Sequence, residues 1–467
     1  MNSPIPLTRR EMLARSAHGF GWLALGGLFS EQARAAAVVG PHFVPRARNV
    51  ILLFMDGGVS QVDSFDPKPR LQAEHGQPFR TKIDATQFDN NGAVLASPWE
   101  FKRYGQAGLP VSDLFPRIGA LADQLCVIRS MTSDFPEHSQ ACFWMHCGHG
   151  LQGRPGIGAW ISYGLGSENA NLPGYVVING GMIPVSGPDI YASAFLPADH
   201  QGSLFDAFSG GEVVSNVTPS HTPMRQREML DFVAGGDGDF LKSLGGQHSA
   251  VEAAIRNYET AFAMQAAVPE LGDLRGESEA TRRLYGCDST DKLQAQYARQ
   301  CLLARRLVES GVRFVEVTCY RGIRSVAPWD QHEDLKNSHA KNAFIVDQPI
   351  AALLTDLKAH GLLESTLVVW AGEFGRTPFA QGGNGRDHNP QGFSIWLAGG
   401  GIRGGISYGA TDDYGYRAVE NPLTVHDLHA TILHQLGLDH ERLTFRHAGR
   451  DFRLTDVHGR VVREILA

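Results

Sequence analysis

The chain is patterned as short, nearly continuous apolar runs separated by longer stretches with helical spacing. The first run is Asn49-Val-Ile-Leu-Leu-Phe54, which ends in Met-Asp-Gly-Gly. Further runs occupy residues 125–129, 175–178, 312–317, 366–370 and 393–397. A run that is apolar at every position reads as a strand covered on both faces, as in a parallel sheet. Between the runs, apolar residues at helical spacing predict helices over 111–122, 293–309 and 340–360, the last stopped by Gly361. Strands alternating with helices predict an α/β three-layer sandwich, a mainly parallel central sheet with helices on both faces. Residues 181–246 are richer in Gly, Pro and Ser. They predict an insertion near 181–265, over the sheet edge or the mouth of the site, closed by a helix over 249–264. From Gly449 onward a short strand and helix are expected, appended to the same domain. Residues 36–467 are therefore read as a single domain.

The first 35 residues have a different logic. Arg9-Arg10 follows Thr8 and precedes Met12-Leu13. A mildly apolar, glycine-containing stretch follows over 19–29, too short to span a bilayer. Ala33-Arg34-Ala35 then supplies the small-x-small pattern of a cleavage site. The order of features resembles a bacterial twin-arginine signal, which hands folded proteins to the twin-arginine translocase. The expectation is a periplasmic or secreted protein, exported folded, with no stable membrane span.

Net charge is −7 and the sequence pI is about 6.2, which argues against a nucleic-acid partner, since that would need a basic face. The six cysteines form no CxxC pair and read as buried thiols rather than a disulfide framework.

In open parallel sheets, ligands bind beyond the C-terminal ends of the strands. Asp56 follows the first strand and precedes Gly57-Gly58, a placement that suits a hard metal as well as a turn cap. Asp330 and His332 follow the 312–317 strand after a loop, where they converge on one ion or form a solvated polar loop. Glu373 lies between glycines after the 366–370 strand, and Arg376 beside it suits an anionic substrate or a surface pair with the glutamate. Asp387 and His388 occupy a polar loop before the 393–397 strand, either as ligand and companion or as turn residues. His138-Ser139-Gln140 precedes a helix-compatible stretch. Ser139 is expected as its N-cap or, in the same geometry, as an activated nucleophile. Collected at strand tips, these groups make the pattern of a two-metal ester-transfer site. His426 and His429 share one helix face and are read as structural.

Several runs are close to a family signature: Phe54-Met-Asp-Gly-Gly-Val-Ser-Gln-Val-Asp-Ser-Phe-Asp-Pro-Lys68, Gly372-Glu-Phe-Gly-Arg-Thr-Pro378, Gly385-Arg-Asp-His-Asn-Pro390, and Glu420-Asn-Pro422 with His426-Asp-Leu-His-Ala-Thr431. From about Ala47 onward the chain resembles a bacterial family of twin-arginine-exported proteins. That family is known as a domain of unknown function, or loosely as sulfatase-like, within the alkaline phosphatase superfamily. The resemblance implies an alkaline-phosphatase-like fold and hydrolysis of phosphate esters, with sulfate or phosphonate esters as further substrates. The substrate would be a small or polymeric anionic ester. A non-catalytic exported binding or scaffold protein is the alternative. Carried over by position, Asp56, Asp330, His332, Glu373, Asp387 and His388 become metal ligands. Ser139 becomes the nucleophile, with metal-activated water in reserve, and His138 and Arg376 contact substrate. One or two divalent ions are implied, from among Zn, Mg, Ca and Mn. Phe374 stands where the superfamily has a histidine, which makes the second site oxygen-rich and favours Mg, Ca or Mn unless His138 fills in. The formylglycine context of true sulfatases is missing: neither Cys142-Phe-Trp-Met-His nor Ser139-Gln-Ala-Cys-Phe carries the required arginine.

Overall fold

A computed structural model describes residues 40–467 apart from 85, 87, 182–183, 208–211, 246–247 and 321–326. The expected export signal over 1–35 lies outside the described residues. Twelve strands matter for the site: β1 Asn49–Phe54, β2 Asn91–Val94, β3 Leu125–Thr132, β4 Tyr175–Gly180, β5 Ser203–Asp206, β6 Phe314–Tyr320, β7 Thr366–Ala371, β8 Gly375–Gln381, β9 Gly385–Asn389, β10 Phe393–Ala398, β11 Ile406–Tyr408 and β12 Leu423–Thr424. The central sheet runs in the order β11-β3-β10-β7-β1-β6-β4-β5, with β12 also on β3. All of its pairings are parallel except those of β10, which is antiparallel to both β3 and β7. The apolar runs of the sequence are these strands.

Side-chain alternation explains why the central strands are mainly apolar on both faces. On β1, Ile51 and Leu53 enter one core, while Val50, Leu52 and Phe54 enter the other. The first core is completed by helices α5 (Lys292–Glu309) and α6 (Leu335–Ala359); the second by α1 (His138–Cys147), α2 (Ile157–Leu165) and α7 (Val425–Gln435). Two remaining long helices, α3 (Pro223–Ser243) and α4 (Ser249–Gly272), belong to the insertion beside the β5 edge. No helix among the described residues is long and apolar enough to cross a membrane. All six cysteines are buried and unpaired.

Two local expectations are corrected. Residues 111–122 do not form one helix. Leu109–Ser112 is a strand paired with Phe101–Tyr104, only Pro116–Gly119 is α-helical, and a 3-10 turn follows at Ala122–Gln124. Pro116 is the reason, because its ring and missing N–H are tolerated in a helix's first turn but not in its interior. The polar segment carrying Asp387 and His388 is strand β9 rather than a loop. It folds back on β8 across the Gly382-Gly383-Asn384 turn, with β2 on the far side of β8.

Candidate metal centre

Three strands deliver the site to one edge of the sheet. Asp56 lies just past β1, Glu373 just past β7, and Asp330 and His332 on the segment after β6. Helix α1 follows β3 and begins at His138. Because β10 runs the opposite way, the segment entering it lies at that same edge, and this segment carries His388. The antiparallel strand is thus what lets a fifth stretch of chain reach the strand tips.

Gly57 makes the convergence possible. Its φ is +109°, and a Cβ there would sit 2.5 Å from the Asp330 nitrogen and 2.9 Å from Trp329 backbone atoms. Only glycine permits this approach. The Gly57 N–H donates to Glu373 at 2.9 Å, and the Trp329 N–H donates to the Asp56 carbonyl at 3.1 Å. The β1, β6 and β7 tips are therefore tied through one glycine and its neighbour.

Four side chains then meet: His138, Asp330, His332 and His388. Asp330 Oδ1 lies 2.8 Å from His332 Nε2, 3.2 Å from His138 Nε2 and 3.3 Å from His388 Nε2, and the last two-ring separation, His388 Nε2 to His332 Nε2, is 3.1 Å. Each ring's other nitrogen faces an acceptor. His388 Nδ1 points at the Pro136 carbonyl at 2.6 Å, His138 Nδ1 at Glu373 Oε1 at 2.7 Å, and His332 Nδ1 at the Gln381 side-chain oxygen. Acceptors at Nδ1 place the imidazole protons there and turn three Nε2 lone pairs onto one anionic oxygen. Lone pairs and a carboxylate repel one another unless a cation or protons lie among them. A tetrahedral zinc-type site with ligand bonds near 2 Å spaces its donors about 3.3 Å apart, close to the separations here. Acceptors behind ligand imidazoles are the usual support of such a site. These residues fit a divalent ion.

The electrostatics follow from burial and proximity. Burial pushes the Asp330 carboxyl upward, but Arg376 and the three imidazoles overcome it and hold Asp330 far below the usual carboxylate range. Burial likewise lowers His388, to about 3, and Arg376 and His138 add to the effect, so the ring is neutral. His138 is buried too, yet its bonds to Asp330 and Glu373 raise it to about 9. A proton on His138 therefore offsets the carboxylates that an ion would otherwise neutralise.

A second group lies behind the first. Asp56, Cys142 and Glu373 place ligand atoms within 4.8 Å of one another, and all three are buried. Desolvation and the Glu373 charge push the Asp56 carboxyl above its ordinary value. His138 joins the two groups, since it touches Asp330 through Nε2 and Glu373 through Nδ1. Phe374 supplies no ligand. Its ring stacks on His388 at 4.5 Å and leans on His138 at 4.9 Å, so it fixes the planes of two imidazoles.

Three expected roles change. Arg376 is fully buried, and its guanidinium donates to the carbonyls of Gly57, Gly58 and Arg386 and to Asp330 Oδ1. It holds Asp330 rather than meeting a substrate. Asp387 joins neither group. Its oxygens accept from the His388 and Phe88 N–H groups, and it comes no closer than 4.0 Å to His332. His138 is a member of the donor cluster, the ligand place the sequence left open to it. Ser139 is not the N-cap of α1; Glu137 is, accepting from the Gln140 N–H at 3.1 Å. Ser139 sits half-buried in the first turn beside His138. His426 and His429 donate to the carbonyls of Gly148 and Met145 and so pin the end of α1, the structural role expected of them.

Sequence reading missed Cys142 and the clamp beneath the site. In the clamp, Arg386 and Asp63 form a fully buried pair at 2.7 Å, and Gln61 bonds the Arg376 backbone at both N–H and carbonyl. For the clamp the signal was present, since Gln61 and Asp63 lie in the first signature run. For Cys142 it was the spacing of four residues from His138, which puts both on one helix face.

Comparison with known proteins adds the following. A family model described as "Protein of unknown function (DUF1501)" matches residues 47–466. No functionally curated protein matches the sequence. Among solved structures, the chain is similar to PsFucS1 sulfatase from Pseudoalteromonas sp. at 13% identity and TM-score 0.36, over 93% of this chain and 72% of that one. It is similar to the phosphonate monoester hydrolase of Agrobacterium radiobacter at 12% identity and TM-score 0.35, over 85% and 74% of the two chains. A magnesium-bound variant of TAB5 alkaline phosphatase gives 11% identity and TM-score 0.34, over 85% and 99%. Likenesses this distant carry no weight for the chemistry, which rests on the distances above.

Proposed function

The chain belongs to that family of unknown function, and from its donor cluster we propose that it is a metal-dependent hydrolase of phosphate esters, with sulfate and phosphonate esters as related substrates. The observation that carries the reading is the turning of three Nε2 lone pairs onto Asp330 Oδ1, each imidazole braced through Nδ1. His138, Asp330, His332 and His388 would hold the ion. Three nitrogens and one oxygen suit a zinc-type ion better than Mg or Ca. A divalent ion there supplies Lewis acidity toward an ester oxygen and acidifies a bound hydroxyl or water.

The chain's own groups do the rest. Asp330 and His332 keep 18% and 23% of their side chains exposed, so a substrate can reach the cluster from solvent. Arg376 neutralises part of the Asp330 charge from behind and fixes its orientation. Helix α1 turns its N-terminal end toward the cluster, where its dipole favours an anionic ester group. Ser139, on that first turn, is the proposed nucleophile. Phe374 excludes water from the faces of His138 and His388. The leader over 1–35 suggests export by the twin-arginine route, which would let a metal site fill in the cytoplasm before transport. Over a binding or scaffold protein, the hydrolase reading is supported by the gathering of Asp330, His332 and His388 in one group and of Asp56 and Glu373 in a second beside it, rather than a scatter of all five.

The test is metal analysis of the purified protein, followed by aryl phosphate, sulfate and phosphonate substrates. At least one tightly held ion and turnover of the phosphate are expected, with both lost in His332→Ala. A folded protein with no ion and no turnover on any ester would overturn the reading.

A further inference from the structure

Resting on the reading above, we infer that Cys142 is a thiolate ligand for a second ion, held with Asp56 and Glu373 behind the histidine cluster. Cys142 lies one helical turn after His138 on α1, so the two side chains project from the same face. His138 reaches Glu373 at 2.7 Å, and the Cys142 sulfur lies within 4.8 Å of the Glu373 and Asp56 oxygens.

The independent observation is Asp56. It is 1% exposed, and neither of its carboxylate oxygens has a hydrogen-bond partner among the described residues. Buried carboxylates are normally paired or bound to metal, because an unpartnered one loses its hydration without return. Its neighbours do not meet this need. The Gly57 N–H is taken by Glu373, and His138 faces Glu373 and Asp330. A cation between Asp56, Glu373 and Cys142 would give the Asp56 carboxylate the partner it lacks.

The sulfur changes which ion is chosen. Oxygen ligands alone select Mg, Ca or Mn, whereas a thiolate selects Zn, Co or Cd. On binding, the Cys142 thiol gives its proton to solvent as the sulfur–metal bond forms, with no change in oxidation state. Complete burial also keeps water and oxidants from the sulfur. The inner ion would be structural and electrostatic, while the more open histidine cluster meets the ester.

The experiment is cobalt substitution of the full mature protein. Wild type should bind two Co2+ and show a near-ultraviolet thiolate-to-cobalt charge-transfer band. Cys142→Ser should lose that band and one ion, keep the visible spectrum of the nitrogen-rich centre, and weaken zinc retention at the inner site at least about tenfold. Cys142→Ala, checked for folding by circular dichroism, should behave alike. Two ions without the band, or a band that survives Cys142→Ser, would overturn the thiolate assignment. One ion and no band would overturn the inner site yet leave the proposed hydrolase standing; no ion at all would sink both.

Discussion

Replacing Arg376 with methionine keeps much of the side chain's length and removes all of its donors. In the wild type the guanidinium is fully buried and donates to Gly58 O at 3.0 Å, Arg386 O at 3.2 Å, Gly57 O, and Asp330 Oδ1 at 2.8 Å. Removing one partner of a buried pair costs about 3–5 kcal/mol, because the other charge is left without compensation. Three stranded carbonyls push toward the upper end, and the partial exposure of Asp330 pulls toward the lower. With an unfolding entropy near 2.1 cal/mol/K per residue, a chain of 467 residues loses about 1 °C of melting temperature per kcal/mol. The ion-free variant should therefore melt about 3–5 °C lower. A bound dication replaces the lost positive charge, so saturating zinc should raise the melting temperature more in Arg376→Met than in wild type. Arg376→Lys should fall between them, keeping a charge but not the fork. Differential scanning fluorimetry with and without zinc reads all three. An unchanged melting temperature together with a raised KM would refute the reasoning and return Arg376 to a substrate-binding role.

Ser139→Ala should lower turnover by roughly three orders of magnitude or more while leaving ion content unchanged; retention of most of the rate would assign the attack to water. Gly57→Ala places a methyl 2.5 Å from the Asp330 nitrogen at a φ of +109°; it should cost about 1–3 kcal/mol and lower ion occupancy, measured by thermal melting and metal analysis. Burial, helped by the His426 charge, lowers His429 to about 3. The unfolded chain takes up that proton near pH 6.5 while the folded one refuses it, so this contribution is present above pH 6.5 and is lost as pH falls toward 3. The slope is at most ~1.4 kcal/mol per pH unit. His429→Gln keeps a donor for the Met145 carbonyl and cannot titrate, so its melting temperature should fall less steeply from pH 6.5 to 4; an unaltered slope would count against the assignment.

The fold was legible where burial is two-sided. Strands such as β1 and β7 are apolar after their first residue because both faces are covered, and a run this short and rich in β-branched residues favours a buried strand over a helix. The direction of β10 was not legible, since an apolar run reads the same either way. Its antiparallel placement depends on how the β8–β9 hairpin returns the chain to the sheet. The missed break at Pro116 was legible in principle, because proline marks a helix start more strongly than the apolar spacing around it marks a continuous helix.

At the site, position along a strand predicted which residues arrive, but not what they do on arrival. Asp56, Asp330, His332, Glu373 and His388 reach the sheet edge because the strand tips do. Arg376 and Asp387 arrive as well, yet Gly57 and Gly58 draw the Arg376 guanidinium beneath the site, and the Asp387 carboxylate accepts from the His388 and Phe88 N–H groups instead of facing the cluster. The substitution of Phe374 for an expected histidine looked, in one dimension, like the loss of a ligand. In three dimensions His138, 236 positions earlier in the chain than Phe374, brings a nitrogen to the Asp330 cluster from a different segment, turns its other nitrogen to Glu373, and is braced by the phenylalanine. One helix thus sets a donor beside each group, His138 at the open cluster and Cys142 one turn further along at the buried one, and neither follows from the strand tips that the sequence marks.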